Sequence, residues 1–444
     1  MRIVIIGAVA AGTSAATAAR RNNKEADIII YEKDKYISYA GCGMPYYISN
    51  TFEDFNELVP RNPEFFKNKL NIDIFIEHEV LSVNSKDKTL QVKNLINGEI
   101  IDDFYDKLVI STGATSTIPN LRGSDESNVF ALRNINDMNK IKCFIERESP
   151  KSAAIIGSGF VGLEMCESFN KLGMDVTLIA RSSISKGIDE DMAVYIKEHL
   201  KVNKVNVLEN TPTNEINDQG VILGDRSLIK ADIILLATGI QPCVELAKNI
   251  GIEIGETKAI KVDKHMKTNI DDIYSCGDCT EVYNLITSKA VYRPLGSTAN
   301  KTGTVAGNNI TGNEDEFRGI LGTGIYRIFD LTVGQTGLSE EEAIKQGFDV
   351  VVSLDKKENK PEYMGGKQII IKAIADKKTG LLLGGQVIGY EGVDKRLDIL
   401  ATAITLKAKA EDLIHLDLAY SPPYSLPRDP LYYTGVKLKA LLDK

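Results

Sequence analysis

The chain has no uninterrupted apolar stretch long enough to span a bilayer, which excludes a helical membrane protein. It has no basic excess: 53 Lys and Arg stand against 61 Asp and Glu, for a formal net charge of −8. A general nucleic-acid binder usually shows the opposite balance. Cysteine is sparse, with Cys42, Cys143, Cys166, Cys243, Cys276 and Cys279 scattered over 444 residues. Such spacing does not suit a disulfide framework in a chain of this size. The opening run Ile3-Val4-Ile5-Ile6 is too short for a secretory signal and leads straight into a glycine turn. A cytoplasmic protein is therefore expected. No low-complexity linker interrupts the sequence, so its parts are expected to pack closely. With 43% hydrophobic and 26% charged residues the chain can bury several cores. At about 150 residues per domain, about three domains are expected.

What the sequence does contain is a repeat. Residues 2–34 read strand, glycine turn, alanine-rich helix over 13–22, then the strand Ile28 to Tyr31 ending in Glu32. Residues 153–181 repeat the plan, with a turn from Gly157 to Gly162, a helix to about Leu172 and a strand over 176–179. Each unit is followed by a strand ending in Thr-Gly, at Thr112-Gly113 and Thr238-Gly239. Two such units predict an α/β fold with two Rossmann-like dinucleotide-binding domains. From about Gly319 the pattern changes to alternating apolar segments followed by amphipathic helices, a separate α+β domain.

The second turn, Gly157-Ser158-Gly159-Phe160-Val161-Gly162, matches G-x-G-x-x-G in the strand-to-helix context that gives the motif meaning. Glycines let the backbone approach a pyrophosphate, and the helix start offers it free N–H groups. In the first turn Val9 replaces the middle glycine, but Glu32 stands where a carboxylate can bind adenosine ribose hydroxyls. Its neighbour Lys33 also fits a solvated strand end. The second unit has Ala180 and Arg181 after its strand and no acid. An arginine there suits a 2′-phosphate, which favours NADPH over NADH; a plain surface charge is the competing reading.

Cys42 lies between Gly41 and Gly43, just before Pro45, which suits the first turn of a helix. A cysteine at a helix N-terminus has its thiolate stabilised there, which predicts a reactive thiol; the alternative is a small buried cysteine. Cys276 and Cys279 form a single C-x-x-C with no second pair to complete a zinc site, so no metal is expected.

Together these residues resemble the flavin-dependent pyridine nucleotide–disulfide oxidoreductases over essentially the whole chain. Two-cysteine members carry C-x-x-x-x-C at the Cys42 segment; here the second position is Tyr47. The chain is therefore similar to the single-cysteine branch of coenzyme A disulfide reductase, NADH oxidase and NADH peroxidase. The resemblance implies FAD held by residues 1–113 and 245–318, NADPH and/or NADH held by 114–244, and a C-terminal dimerisation domain over 319–444. FAD would be bound by Gly7, Ala10, Ala11, Gly12, Glu32, Lys33, Val80, Thr112, Gly113, Gly277, Asp278, Leu295, Thr298 and Ala299. Asp278 would bind the ribityl chain, leaving Cys276 and Cys279 incidental. The nicotinamide nucleotide would meet Gly157, Gly159, Phe160, Val161, Gly162, Arg181, Thr238 and Gly239, with the Phe160 ring over the nicotinamide site.

Oxidase and peroxidase members carry a histidine where this chain has Ala10. The stretch Ala419-Tyr420-Ser421-Pro422-Pro423-Tyr424-Ser425 instead resembles the coenzyme A disulfide reductases. It implies a homodimer in which Tyr420, with Tyr363 as a second candidate, reaches Cys42 of the partner subunit. Gly41 departs from the asparagine of many reductases. The chain ends at Lys444, so the rhodanese domain fused to some relatives is expected to be missing. The implied substrate is a small-molecule disulfide such as that of coenzyme A, with coenzyme A itself a candidate occupant of Cys42. Its phosphates need cations, and Arg20, Arg21 and Arg61 are candidates beside Ser38 and Tyr39; Lys24 is equally a solvated helix end. An NAD(P)H oxidase, a polysulfide or sulfur reductase, and a flavin-binding redox sensor are the rival readings. No nucleic-acid or membrane partner is expected.

Overall fold

The computed structural model of the chain describes residues 1–184 and 187–444. The first unit builds a five-stranded parallel sheet. Its spatial order is Ile273–Ser275, Lys107–Ile110, Arg2–Ile6, Asp27–Tyr31 and Asp73–Phe75. The inner strands are short apolar runs such as Ile3-Val4-Ile5, whose three residues are wholly buried, while the edge strand Asp73–Phe75 is partly exposed. Burial on both faces is what a parallel sheet covered by helices demands. The strand Ile273–Ser275 returns to this sheet after the second unit is complete.

The helix after the first turn, Ala10–Asn22, is rich in alanine because it packs at backbone distance on the helix Gly296–Ile310. A Cβ at Gly303 would lie 2.3 Å from Ala11 O, and one at Gly307 would lie 2.2 Å from Ala15 O. The helix begins at Ala10, three residues before the expected start, and the second strand stops at Tyr31, leaving Glu32 just beyond it.

The second unit repeats the arrangement. Its parallel sheet runs Asn206–Leu208, Asp175–Ile179, Ser152–Ile156, Ile233–Leu236 and Val129–Phe130. Its turn leads into the helix Phe160–Lys171. The two connections between the sheets, Ala114–Ser116 and Ile240–Pro242, pair with each other as an antiparallel ribbon. Each unit also carries a three-stranded antiparallel sheet that the repeat did not foretell. The C-terminal part is a five-stranded antiparallel sheet with the helices Val393–Thr405 and Pro430–Leu442 against it. The architecture is the expected α/β fold. No helix among the described residues is long and apolar enough to cross a membrane.

Candidate active site

Both glycine turns close in the same way. Gly7 and Gly157 have φ of +105° and +113°, and a Cβ on either would strike a carbonyl of the neighbouring strand, Ser111 O at 2.3 Å or Ala237 O at 2.2 Å. Gly159 is different: its φ is ordinary, and a Cβ there would meet no protein atom within 4 Å. Protein packing gives no reason for glycine at that position, so the open space fits a ligand that approaches the backbone. The helices Ala10–Asn22, Phe160–Lys171 and Gly296–Ile310 all start without a side-chain cap. Their first N–H groups are therefore free for an anion. By contrast, Asn134 closes the start of Ile135–Glu148 with a capping box.

The end of each second strand is also built alike. Glu32 is buried, and its two oxygens accept from Ala8 N at 2.7 Å and Asp34 N at 2.9 Å. Burial pushes its carboxyl up, against those two backbone donors. A carboxylate has about four acceptor positions, so two remain for ribose hydroxyls. The register Ile6↔Tyr31 and Ile156↔Ile179 makes Ala180 the counterpart of Glu32. Arg181 follows it, exposed to solvent. Lys33 is exposed, while Val80 packs against the core at a register shift in His78–Asn84.

Asp278 sits at the end of the returning strand, whose turn is pinned by Gly277 N donating to Thr302 Oγ1 at 3.1 Å. Leu295, Thr298 and Ala299 form the start of the same helix. Asp278 Oδ2 accepts from Arg133 Nη2 at 2.7 Å, and Oδ1 has no partner among the described residues. Cys276 and Cys279 are buried and unbridged. Thr112 Oγ1 donates to Cys243 O at 2.7 Å and Thr238 Oγ1 to Thr117 O at 2.6 Å. The two Thr-Gly pairs thereby brace the interdomain ribbon. A free carboxylate oxygen, open helix starts and a buried acid make a donor and acceptor set that fits FAD.

Cys42 lies in the single turn Gly41–Gly43, ahead of the short helix Met44–Ile48. That helix packs on the second unit: Ser168 Oγ donates to Pro45 O at 2.8 Å, and Tyr46 OH to Glu164 Oε1 at 3.2 Å. Cys42 is exposed and unbridged. The expectation of a thiolate favoured by the helix start is corrected here. Burial on its inner side pushes the Cys42 thiol up, Glu164 adds to the rise, Arg133 opposes it, and Asp278 adds less. The outer face remains open to solvent, which limits the desolvation.

Beside this turn lies a cleft of about 380 Å³ lined by Arg21, Ser38, Tyr39, Arg61, Ser14 and Asn300. Four of the five residues expected to meet the substrate, Arg21 and Arg61 among the expected phosphate partners, thus line one cleft. Arg20 does not, and that expectation is corrected. It is buried, and its guanidinium donates to the carbonyls of Leu70, Asn71, Asn23 and Lys24 at 2.6 to 3.2 Å. Those bonds commit it to tying the helix end to the loop before the third strand. Tyr420 and Tyr363 are 49% and 75% exposed.

The sequence reading missed Glu164 and Arg133. Glu164 follows Phe160 by one helical turn, so the i, i+4 spacing from that ring could have found it. Burial pushes its carboxyl up to about 7, with the Tyr46 hydroxyl opposing and Glu167 adding. Phe160 itself tilts against Tyr326 with ring centroids 4.8 Å apart, and Val161 is 39% exposed. Arg133 has no sequence signal: its Nε donates to Ala114 O at 3.0 Å and its Nη2 to Asp278. It joins segments that only the fold brings together.

Residues 1–293 match the pyridine nucleotide-disulphide oxidoreductase family and residues 325–429 match that family's dimerisation domain. The chain belongs to this family, whose members are FAD-dependent enzymes that use NAD(P)H and pair through the C-terminal domain. Within it, the chain is 38% identical over 443 residues to an NAD(P)H sulfur oxidoreductase (CoA-dependent) of Pyrococcus furiosus, covering 99% of each. It is 32% identical over 443 residues to the coenzyme A disulfide reductase of Staphylococcus haemolyticus, covering 99% of this chain and 100% of that one. The reduced Bacillus anthracis CoADR-RHD crystal structure is similar with a TM-score of 0.98 at 35% identity, over 100% of this chain and 80% of that one. This protein is an FAD-dependent NAD(P)H:disulfide oxidoreductase.

Proposed function

We propose that this enzyme reduces coenzyme A disulfide, or a related low-molecular-weight disulfide, through Cys42 alone. The observation that carries the reading is a cysteine without a local partner in a turn capped by Ala40, which lines the cleft together with Arg21 and Arg61. On this reading residues 1–113 and 245–318 hold FAD, 114–244 hold NAD(P)H with Arg181 favouring NADPH, and 319–444 form the dimer contact. The enzyme works in the cytoplasm.

FAD, when bound, supplies the relay that passes two electrons from the nicotinamide to sulfur. The chain's own residues do the rest. Arg21 and Arg61 neutralise substrate phosphates, while Ser38 and Tyr39 wall the cleft. The Cys42 thiolate attacks one sulfur of the bound disulfide, forming a Cys42 mixed disulfide and expelling the other half as a thiolate. The phenol of Tyr420 of the partner subunit donates a proton to that leaving thiolate. Two electrons and a second proton then cleave the mixed disulfide, returning the Cys42 thiolate and the second thiol. Net, NADPH, a proton and one disulfide give NADP⁺ and two thiols.

The name of the Pyrococcus furiosus relative, an NAD(P)H sulfur oxidoreductase (CoA-dependent), supports a second reading, a polysulfide or sulfur reductase that works through a Cys42 persulfide. Both readings need Cys42. Anaerobic NADPH consumption with coenzyme A disulfide, then with polysulfide, separates them. Full disulfide turnover by Cys42→Ser overturns the mechanism. Rapid NADPH consumption with O₂ alone favours an oxidase, and slow turnover with every acceptor favours a sensor. A mass increment of one coenzyme A on Cys42 of the purified protein would support either thiol reading.

A further inference from the structure

The C-terminal domain holds an ion pair that no step above uses. Arg396, in the helix Val393–Thr405, is 0% exposed. Its Nε and Nη2 donate to the two oxygens of Asp429, at 3.2 and 2.8 Å. Nη2 also reaches Ser425 Oγ at 3.3 Å and Asn359 O at 3.0 Å, and Nη1 donates to Gly392 O at 3.0 Å. Ser425 Oγ closes the cluster by donating to Asp429 Oδ2 at 2.8 Å. A buried ion pair is weak evidence for stability, because desolvation offsets much of the attraction. What a guanidinium offers instead is a rigid planar fork that fixes several partners at once.

The partners it fixes are the roots of two surface loops. Tyr424 N and Ser425 N both donate to Ser421 O, at 2.9 and 3.1 Å, so the Pro422-Pro423 turn after Tyr420 hangs from buried Ser425. Asn359 is paired both ways with Lys367, its N–H to Lys367 O at 2.9 Å and its Oδ1 from Lys367 N at 2.8 Å. Tyr363 stands in the turn Glu362–Met364 between them. Neither the Tyr420 nor the Tyr363 phenol makes a hydrogen bond among the described residues, so their direction is set at the loop roots.

We propose that Arg396 is a positioning residue that holds the Tyr420 and Tyr363 loops in one fixed relation, presenting both tyrosines together to Cys42 of the partner subunit. The inference rests on the catalytic reading of these tyrosines given above. It assigns no contact between Arg396 and substrate. Lysine in its place keeps the charge and loses the fork, so the two loops become independent.

The test uses the FAD-loaded, full-length protein with Arg396→Lys, Arg396→Met and Ser425→Ala. The chain contains no tryptophan, so Tyr424→Trp adds a single emission reporter on the loop. In Arg396→Lys the reporter emission should shift and become more accessible to a quencher. kcat for coenzyme A disulfide should fall roughly 10- to 100-fold, while reduction of the enzyme by NADPH alone and the dimer state stay at the wild-type level. Tyr420→Phe added to Arg396→Lys should cost little more. Wild-type emission and wild-type kcat in folded Arg396→Lys and Ser425→Ala dimers would overturn the proposal. Should the Arg396 variants fail to fold, Ser425→Ala decides, since it removes one hydroxyl only. A shifted emission in Arg396→Lys with full turnover by Tyr420→Phe would support the anchoring and sink the catalytic use of Tyr420.

Discussion

Gly7 N–H donates to Tyr31 O at 2.8 Å, and Gly157 N–H donates to Ile179 O at 2.9 Å. Ser111 N–H meets Ile6 O and Ala237 N–H meets Ile156 O in the same positions of the two units. The two units thus share their backbone down to individual hydrogen bonds. They part at Val9 against Gly159 and at Glu32 against Ala180. The backbone provides one frame twice, and on the function proposed above a few side chains decide which nucleotide each copy takes. The first copy carries a buried acid. The second carries an open backbone position and an exposed arginine.

The comparison is tested most severely at the last glycine of each turn. A Cβ at Gly12 would lie 1.8 Å from Gly7 O, and one at Gly162 would lie 2.1 Å from Gly157 O. Overpacking of this kind costs about 1–3 kcal/mol. Gly12→Ala should purify with little flavin, whereas Gly162→Ala should stay yellow and no longer be reduced by NADPH. Flavin absorbance and stopped-flow reduction read the two losses separately. If both variants lost the same cofactor, the division of labour would be wrong.

A smaller effect is expected where the units differ in charge. Ala180→Glu with Arg181→Ala copies the acid of the first unit and removes the cation. The NADPH-to-NADH ratio of kcat/KM should swing toward NADH by roughly 10- to 100-fold, the worth of about one charged hydrogen bond. An unchanged ratio would make Arg181 a plain surface charge. Smaller again is Gly159→Val, which copies Val9 into open space. KM for NADPH should rise about tenfold with an unchanged Tm; a drop in Tm would mean that the space is needed by the protein itself.

The mildest change concerns Glu164, which the first unit does not match. Its buried carboxyl, pushed up to about 7 from 4.5, keeps a proton in the folded state that the unfolded chain releases. Its contribution therefore disfavours folding progressively as pH rises from about 4.5 to about 7. Urea unfolding of Glu164→Gln should lack this part of the pH dependence. The same variant removes a charge that raises the Cys42 thiol, so iodoacetamide should react with Cys42 at lower pH. Arg133→Met should move that reaction to higher pH, because Arg133 opposes the rise. Equal profiles for both variants would break the electrostatic account.

Much of this was readable along the chain because it is local. Glycine turns, apolar strands and the spacing to Glu32 depend on neighbours within one βαβ unit. The two small antiparallel sheets were not readable, since most of their strands are partly exposed and rich in polar residues and lie outside the repeated βαβ plan. Arg20 shows the opposite failure. A cation at a helix end looks like a free charge, and only the loop at Leu70 and Asn71, fifty residues on, reveals that its donors are taken. The basic cleft survived this loss because Arg21, one residue further round the helix, faces outward.

The sequence alone determined that there are two nucleotide frames and that Cys42 has no local partner, which follow from residue type and short spacing; the oxidoreductase family came from the resemblance those motifs carry. The tertiary structure alone decided what surrounds Cys42. Glu164 and Arg133 come from the second unit and the interdomain stretch, and Arg396 ties two loops whose chain positions are sixty residues apart. Electrostatic fields and buried hydrogen bonds act through space, so the groups that tune a thiol or hold a loop need no proximity in sequence.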